Sequence, residues 1–380
     1  MQSNAKVKFP TATSTWGPEE REAIEEVLAS GRMTMGEKTE EFEEAYARYI
    51  GTKYCVAVNS GSSANLLMVA AYTLYRNDPE KLPSGYLKSV IVPSIAWATS
   101  YAPFQQFGWR LKFVDIDRNT LNYSKFAIEK AIEHKTIDFD CDLILVVNLL
   151  GNPNDFSIFP EGIDVIEDNC ESMGSSYKGK MCGSIGLMGS HSTYFAHHMC
   201  TMEGGMITTN DQFLYEMLIS LRSHGWTRHF KEGNLHGVKP EKFSFIYPGY
   251  NVRPTDLQCA IGLAQLKKLP GFVSTRHENQ DNFREYAKKR GWGYQIEPEG
   301  GYSSSFGCAL FSDDVEEIKK EFDAKGIDYR PIMTGDFTKS PSIKYYDYQV
   351  YGDLPNTKWV EKHGIFVGNH HTPIDWSILD

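Results

Sequence analysis

The sequence predicts an α/β protein, with a mainly parallel central sheet covered by helices and a smaller α+β domain at its C-terminal end. Three observations predict it. Short apolar runs rich in β-formers alternate with stretches of helical spacing through the first 250 or so residues. Several of those runs stop at turns of small or polar residues. After Pro248-Gly249-Tyr250-Asn251 the pattern changes to long helical stretches followed by a few strands. The boundary is expected between 250 and 270, giving a large domain over 1–250 and a small one over 251–380.

The first clear helix follows the turn at Gly36. Phe42, Ala45, Tyr46, Tyr49 and Ile50 recur at helical spacing, with Glu40, Glu41, Glu43, Glu44 and Arg48 on the opposite face, until Gly51 ends it. Tyr54–Val58 reads as a strand and Ala64–Ala71 as the helix after it. Further strands are expected at Ser89–Val92, Lys112–Val114, Leu143–Leu149 and Val165–Ile166, with a helix over Tyr123–Glu133. In the second half, Asp256–Lys267 and Phe272–Arg290 read as two helices separated at Pro270, and Asp314–Lys325 as another. Active sites of such sheets lie beyond the carboxyl ends of the strands. This directs attention to Asn59–Ser63, Pro93–Thr99, Gly151–Asn152 and Asp168–Glu171.

With 380 residues, 41% hydrophobic and 23% charged, the chain has the composition of a globular protein with a large core. A net charge of −10 argues against a nucleic-acid partner, whose phosphates an acidic surface repels. No run reaches the roughly 18 apolar residues of a membrane span, and the opening MQSNAKVKFPTATSTWG lacks an apolar signal core, so a cytoplasmic protein is expected. The seven cysteines (55, 141, 170, 182, 200, 259 and 308) are scattered, without C-x-x-C spacing, and are expected to be reduced thiols and not metal ligands.

Two turns carry candidate chemistry. Asn59-Ser60-Gly61-Ser62-Ser63-Ala64-Asn65 places small residues between a strand and a helix, where free amides and the helix dipole suit a phosphate; an ordinary αβ loop has the same composition. Ile166-Glu167-Asp168-Asn169-Cys170-Glu171 ends a buried strand in acids. One carboxylate there could hold a cationic ring nitrogen, or the pair could cap a helix or form a loop ion pair.

The stretch from Ser192 through His197-His198 to Glu203-Gly204-Gly205 makes the pattern specific. It resembles the active-site segment of the DegT/DnrJ/EryC1/StrS sugar aminotransferases. Those enzymes carry a serine, five residues later the lysine that binds pyridoxal phosphate, and six residues further a Glu-Gly-Gly. Here His197 occupies the lysine position. The resemblance runs along most of the chain and implies a fold-type-I, aspartate aminotransferase-like architecture. It implies that Thr34 and Met35, in Ser30–Gly36, belong to a substrate loop; that Gly61 and Ser62 hold the cofactor phosphate; that Trp97 stacks on the ring; that Asp168 pairs with its nitrogen; and that Ser192 also serves the cofactor. Glu171 stands where those enzymes usually have glutamine or histidine near the cofactor 3-hydroxyl. Asn251, in Gly249–Arg253, would reach the phosphate of a neighbouring subunit, implying a homodimer with shared sites.

The paired histidines, His224-Gly225-Trp226-Thr227-Arg228 and Phe366-Val367-Gly368-Asn369-His370 resemble one branch of that family. Its members remove the 3-hydroxyl of a GDP-linked 4-keto-6-deoxy sugar on the route to colitose. By that resemblance the cofactor is pyridoxamine phosphate, restored from pyridoxal phosphate by L-glutamate, and His224, Arg228, Arg253 and Arg330 are candidates to bind the nucleotide sugar or amino donor. Histidine cannot tether the cofactor, yet with an ordinary pKa of about 6.5 it can still move a proton. His197 is therefore the expected base. His198 suits packing, hydrogen bonding or substrate contact, and His191 is expected to be structural. Three other readings compete. An iron–sulfur CDP-sugar 3-dehydrase needs a close cysteine group that the sequence lacks. A non-catalytic sensor has no evident need of Asp168, Ser192 and Glu203 together. A plain aminotransferase needs a lysine, and Lys180, Lys231 and Lys239 have the wrong spacing to Glu203.

Overall fold

The computed structural model describes residues 7–76, 88–135, 137 and 142–380. Residues 1–6 of the opening segment, and Cys141, lie outside them. In chain order the helices are α1 (Pro18–Ser30), α2 (Glu37–Ile50), α3 (Gly61–Arg76), α4 (Ala98–Gln106), α5 (Lys125–Glu133), α6 (Gln212–Arg222), α7 (Asp256–Arg290), α8 (Val315–Lys325) and α9 (Pro355–His363). The first seven strands are β1 (Tyr54–Val58), β2 (Ser89–Pro93), β3 (Arg110–Val114), β4 (Asp142–Val147), β5 (Asp164–Asp168), β6 (Ser176–Tyr177) and β7 (Lys180–Met181). There follow β8 (Met188–Ser192), β9 (Gly205–Thr209), β10 (Gly293–Tyr294), β11 (Gly301–Tyr302), β12 (Gly307–Phe311), β13 (Tyr329–Pro331), β14 (Tyr348–Val350) and β15 (Gly364–Gly368).

The large sheet has the order β1-β9-β8-β5-β4-β2-β3-β14. Its pairings are parallel from β8 to β14, and β9 runs antiparallel to both neighbours. The α/β class with a mainly parallel sheet is thus what the chain adopts. A four-stranded sheet, β10-β12-β15-β13, and a three-stranded ribbon, β11-β6-β7, complete the structure. The main core joins β1–β5 to α3, α4 and α6 through Val56, Leu67, Val92, Phe104, Phe113, Leu145 and Leu218. No described helix is long and apolar enough to cross a membrane.

Several elements differ from their sequence expectation. Helix α1 was not anticipated, although Pro18 at its first turn and Glu19 and Glu20 behind it are helix-start signals. Glu43 lies inside, not on the polar face: it pairs with Arg222 of α6 and accepts the Ala57 amide at 2.8 Å. The expected strand Leu143–Leu149 stops at Val147, because Leu149–Gly151 turns as a 3-10 helix with Leu150 at φ +53°. The two helices divided at Pro270 are one helix of 35 residues. Proline removes a single intrahelical bond there, at an exposed stretch of the helix, while packing of buried residues such as Leu269 and Val273 holds both flanks.

The division at residue 250 is crossed in both directions. Strand β14, from the C-terminal part, closes the edge of the large sheet beside β3, and Ile332, Phe337 and Val360 enter its core. In return Phe9 joins the small core of Phe283, Trp292, Leu310, Phe322 and Trp376.

Candidate active site

The carboxyl ends of β1, β2, β4 and β5 open into a cavity of about 620 Å³. Loops after those strands line it, as the parallel arrangement requires. Gly61, Ser62, Trp97, Asp168, Glu171, Ser192, His197 and Arg330 all lie on its wall. Gly151 and Asn152, at a third strand end singled out from the sequence, do not. Gly151 O accepts from Ser175 Oγ at 2.6 Å, and Asn152 Nδ2 donates to the carbonyls of Thr120 and Ile296, so these residues tie loops together instead.

At one end α3 begins at Gly61, leaving the amides of its first turn without intrahelical acceptors. Ser60 Oγ accepts from the Ser63 amide at 3.0 Å, and the Ser62 and Thr99 hydroxyls meet at 2.8 Å. Glycine at 61 is required by proximity: a Cβ there would fall 2.6 Å from Ser192 Cβ and 2.8 Å from Cys170 Sγ. Trp97, 58% exposed, lines the cavity with an indole free to take an aromatic partner.

The alternation of β5 separates the two acids. Glu167 points away and accepts from the amides of Gly183, Ile185 and Gly186 at 2.7–2.9 Å, anchoring a turn. Asp168 points inward. Its Oδ2 accepts from Asn65 Nδ2 at 2.8 Å and Ser100 Oγ at 2.7 Å, and its Oδ1 from the Cys170 amide at 3.1 Å. Asn65 and Ser100 fix this carboxylate and were not singled out individually. Their sequence signal was adjacency alone, Asn65 closing the Ser-Gly turn and Ser100 following Thr99. Thr11, Phe306 and Met333 also line the cavity, brought from segments with no local motif.

His197 lies in the turn between β8 and β9, its amide donating to Tyr194 O at 2.9 Å. The ring is half-buried and packs against Phe306, centroids 5.1 Å apart, and its Nδ1 has no hydrogen-bond partner. Burial pulls this imidazole down to about 4; the Asp168 carboxylate opposes that and the Arg276 guanidinium adds to it. It is therefore neutral at pH 7 and available as a base. Glu171 is shifted the other way, pushed up to about 8 by burial, with the Leu150 amide on its Oε2 opposing and the Asp168 charge assisting. At neutral pH it is mostly a protonated acid. Among the described residues that line the cavity none is a lysine. His198 is buried behind the wall with Nε2 on Ser304 O at 3.1 Å, and His191 is buried against Thr208.

The remaining expected residues lie away from the cavity of their own chain. Thr34 bridges to Thr255, and Met35 precedes the Gly36 amide that donates to Asp256 Oδ1 at 2.7 Å. Asn251 pairs with Ser223. Arg253 Nη1 meets His224 Nε2 at 2.8 Å, and Arg228 lies 3.6 Å over the Trp226 ring. Among the described residues no cluster of three His, Cys, Asp or Glu is arranged to hold a metal ion, and Cys170 is the one thiol on the cavity wall.

A dipole-bearing helix start, a fixed carboxylate, an exposed tryptophan and a neutral imidazole meet in one cavity, and together they suit a phosphorylated aromatic ring. The chain belongs to the DegT/DnrJ/EryC1/StrS aminotransferase family, which it matches over residues 15–372. Within it, the chain is similar to GDP-4-keto-6-deoxy-D-mannose 3-dehydratase of Yersinia pseudotuberculosis, 44% identical over 98% of this chain and 96% of that one. Two solved structures of GDP-4-keto-6-deoxymannose-3-dehydratase, each 41% identical, superpose with a TM-score of 0.90 over 98% of both chains. One is a histidine-to-asparagine mutant with bound GDP-perosamine, the other holds a trapped PLP-glutamate geminal diamine.

Proposed function

We propose that this chain is a pyridoxamine phosphate-dependent dehydratase that removes the 3-hydroxyl of GDP-4-keto-6-deoxy-D-mannose, with glutamate restoring the amine form of the cofactor. The observation that supports the reading is the imidazole of His197 on the wall of a cavity whose described lining includes Gly61, Ser62, Trp97 and Asp168 and no lysine. The residues fit the group. Gly61, Ser62 and the start of α3 take the phosphate, Asp168 the ring nitrogen, Trp97 the ring face, and the neutral Glu171 a ring substituent by hydrogen bonding. When bound, the cofactor supplies an amine for the C4 ketone and a ring that takes up electrons.

The chain's own contribution is then acid–base and positional. His197, uncharged at neutral pH, takes up a proton on its ring. Without a primary amine at this position, return of a proton to C4 in the manner of a transaminase lysine competes less well, and the C3 hydroxyl departs as water with the proton that the His197 ring carries. Asp168, immobilised by Asn65 and Ser100, keeps a cationic ring nitrogen in place. Arg330, 60% exposed at the mouth and only 3.7 Å from Asp328, has donors to offer an anionic substrate or donor group. Asn251, His224, Arg228 and Arg253 complete the site of a second copy, and the dimer works in the cytoplasm. The apolar rim of Tyr194, Phe195 and Met202, each more than 40% exposed, supports an association of this kind.

The test is to incubate the protein with pyridoxamine phosphate, glutamate and a panel of nucleotide-linked 4-keto sugars, and to follow loss of water by mass. The GDP-linked 6-deoxy sugar should be dehydrated and His197→Asn should bind cofactor without turning over. Dehydration at an undiminished rate by that variant would falsify the assignment of the base.

A further inference from the structure

Behind the cavity, helix α7 carries a guanidinium that the chemistry above leaves unused. Arg276 is 3% exposed, and no carboxylate is paired with it among the described residues. Its Nη1 donates to three main-chain carbonyls, those of Asn369 at 2.7 Å, Phe306 at 3.2 Å and Ser305 at 3.4 Å, while Nε has no acceptor. Buried charges are ordinarily paired, because taking one from water costs several kcal/mol or more. A lone cation held by carbonyl dipoles therefore calls for a use.

The carbonyls it grips belong to the turn that backs the histidines. Ser305 is fully buried at φ +46°, a backbone conformation that side-chain-bearing residues avoid. Asn369 Nδ2 holds the same turn, donating to Ser305 Oγ at 2.9 Å and to Arg276 O at 2.8 Å. The next residue, Phe306, lays its ring against His197, and Ser304 O pairs with His198 Nε2 at 3.1 Å. Release of the turn would free the surface that fixes the orientation of His197.

The charge acts at the same place. Among the described residues, the titratable and charged groups around His197 are Asp168 on β5, Cys170 and Glu171 after it, Tyr194 and His198 on its own segment and Arg276 on α7. Asp168 alone would draw a proton onto the imidazole, and Arg276 opposes it. The same guanidinium also disfavours charge on His198, His370 and His371.

We infer that Arg276 is a positioning residue for the base: its guanidinium closes the strained Ser305 turn that sets Phe306 against His197, and faces that imidazole with a positive charge opposite Asp168. The inference rests on His197 being the base, but its first readout does not need turnover. The protein as purified, with 15N-labelled histidine, is titrated by NMR, the His197 signal being assigned by its loss in His197→Asn. In the unaltered protein the midpoint should lie well below 6.5; a midpoint near 6.5 overturns the inference even where no Arg276 variant folds. Arg276→Gln should raise the midpoint by about one unit. Arg276→Lys keeps the charge and loses the fork, so its midpoint should stay near the original while kcat falls severalfold. No shift in the glutamine variant, an equal shift in both, or an undiminished kcat in the lysine variant each overturns it. Failure of the dehydratase reading would look different, as no turnover by the unaltered protein with the titration pattern intact.

Discussion

At the scale of single residues, the cavity sets two groups in opposite protonation states from their solution habits. His197 is neutral and Glu171 is mostly protonated at pH 7 because both are desolvated, and desolvation disfavours whichever form is charged. The stability linkage has opposite signs for the two. Folded values below 6.5 at His197 (about 4) and His191 (about 3) give stability that is present above pH 6.5 and is lost as pH falls toward 3–4. The raised value of Glu171 gives stability that is present below its ordinary 4.5 and is lost as pH rises through about 8. Urea midpoints measured from pH 4 to 9 should therefore fall at both ends. A midpoint constant from pH 7 down to 4 would contradict neutral burial of these imidazoles. The acid limb of turnover should likewise lie nearer pH 4 than 6.5.

At the scale of elements, the site depends on how closely one helix start approaches two strands. Helix α3 can bring its first amides to the cavity because Gly61 has no side chain to strike Ser192 and Cys170. Gly61→Ala forces that start outward. The expected cost is about 1–3 kcal/mol of stability, by analogy with overpacking elsewhere, and a weakening of pyridoxamine phosphate binding of roughly tenfold or more, one displaced charge-assisted hydrogen bond being worth that much. Equilibrium dialysis against the cofactor decides it, and unchanged affinity would show that the phosphate does not sit at this turn. Elements were also where local reasoning was least dependable. Tyr54–Val58 and α2 were legible because their periodicity is strong, whereas β8 and β9 were not proposed as strands: Met188–Ser192 includes Gly189, Ser190 and His191, with no apolar run to show it. Burial on both faces, supplied by the sheet, makes that segment a strand.

At the scale of the whole molecule, some of the residues expected at the site stand outside the cavity. Asn251 and the Arg253–His224 pair lie apart from the cavity of the chain that carries them. If they serve a neighbour, two defective chains should repair each other. His197→Asn and Asn251→Ala, each nearly inactive alone, should regain about a quarter of full activity when refolded together, since half the dimers are mixed and each mixed dimer has one intact site. Mixtures no more active than their components would place Asn251 outside the site.

Gly61, Ser62, Asp168, Ser192 and His197 were readable as site candidates because the small-residue turn, the strand ending in acids, and the serine and Glu-Gly-Gly at fixed distances from His197 together resemble the motifs of a known family. Local spacing survives folding, so the α/β class and the cavity wall from Gly61 to His197 followed from the chain alone. Only the tertiary structure could bring Asn65 and Ser100 onto Asp168, join Glu43 to Arg222, or set Arg276, Phe306 and Asn369 behind His197. Those partners lie tens to nearly two hundred residues apart, and their meeting depends on how sheets and helices pack, which no local pattern records. Burial decided the rest, since the charge state of an imidazole or a carboxyl is fixed by the water it loses, and that loss is a property of the assembled fold.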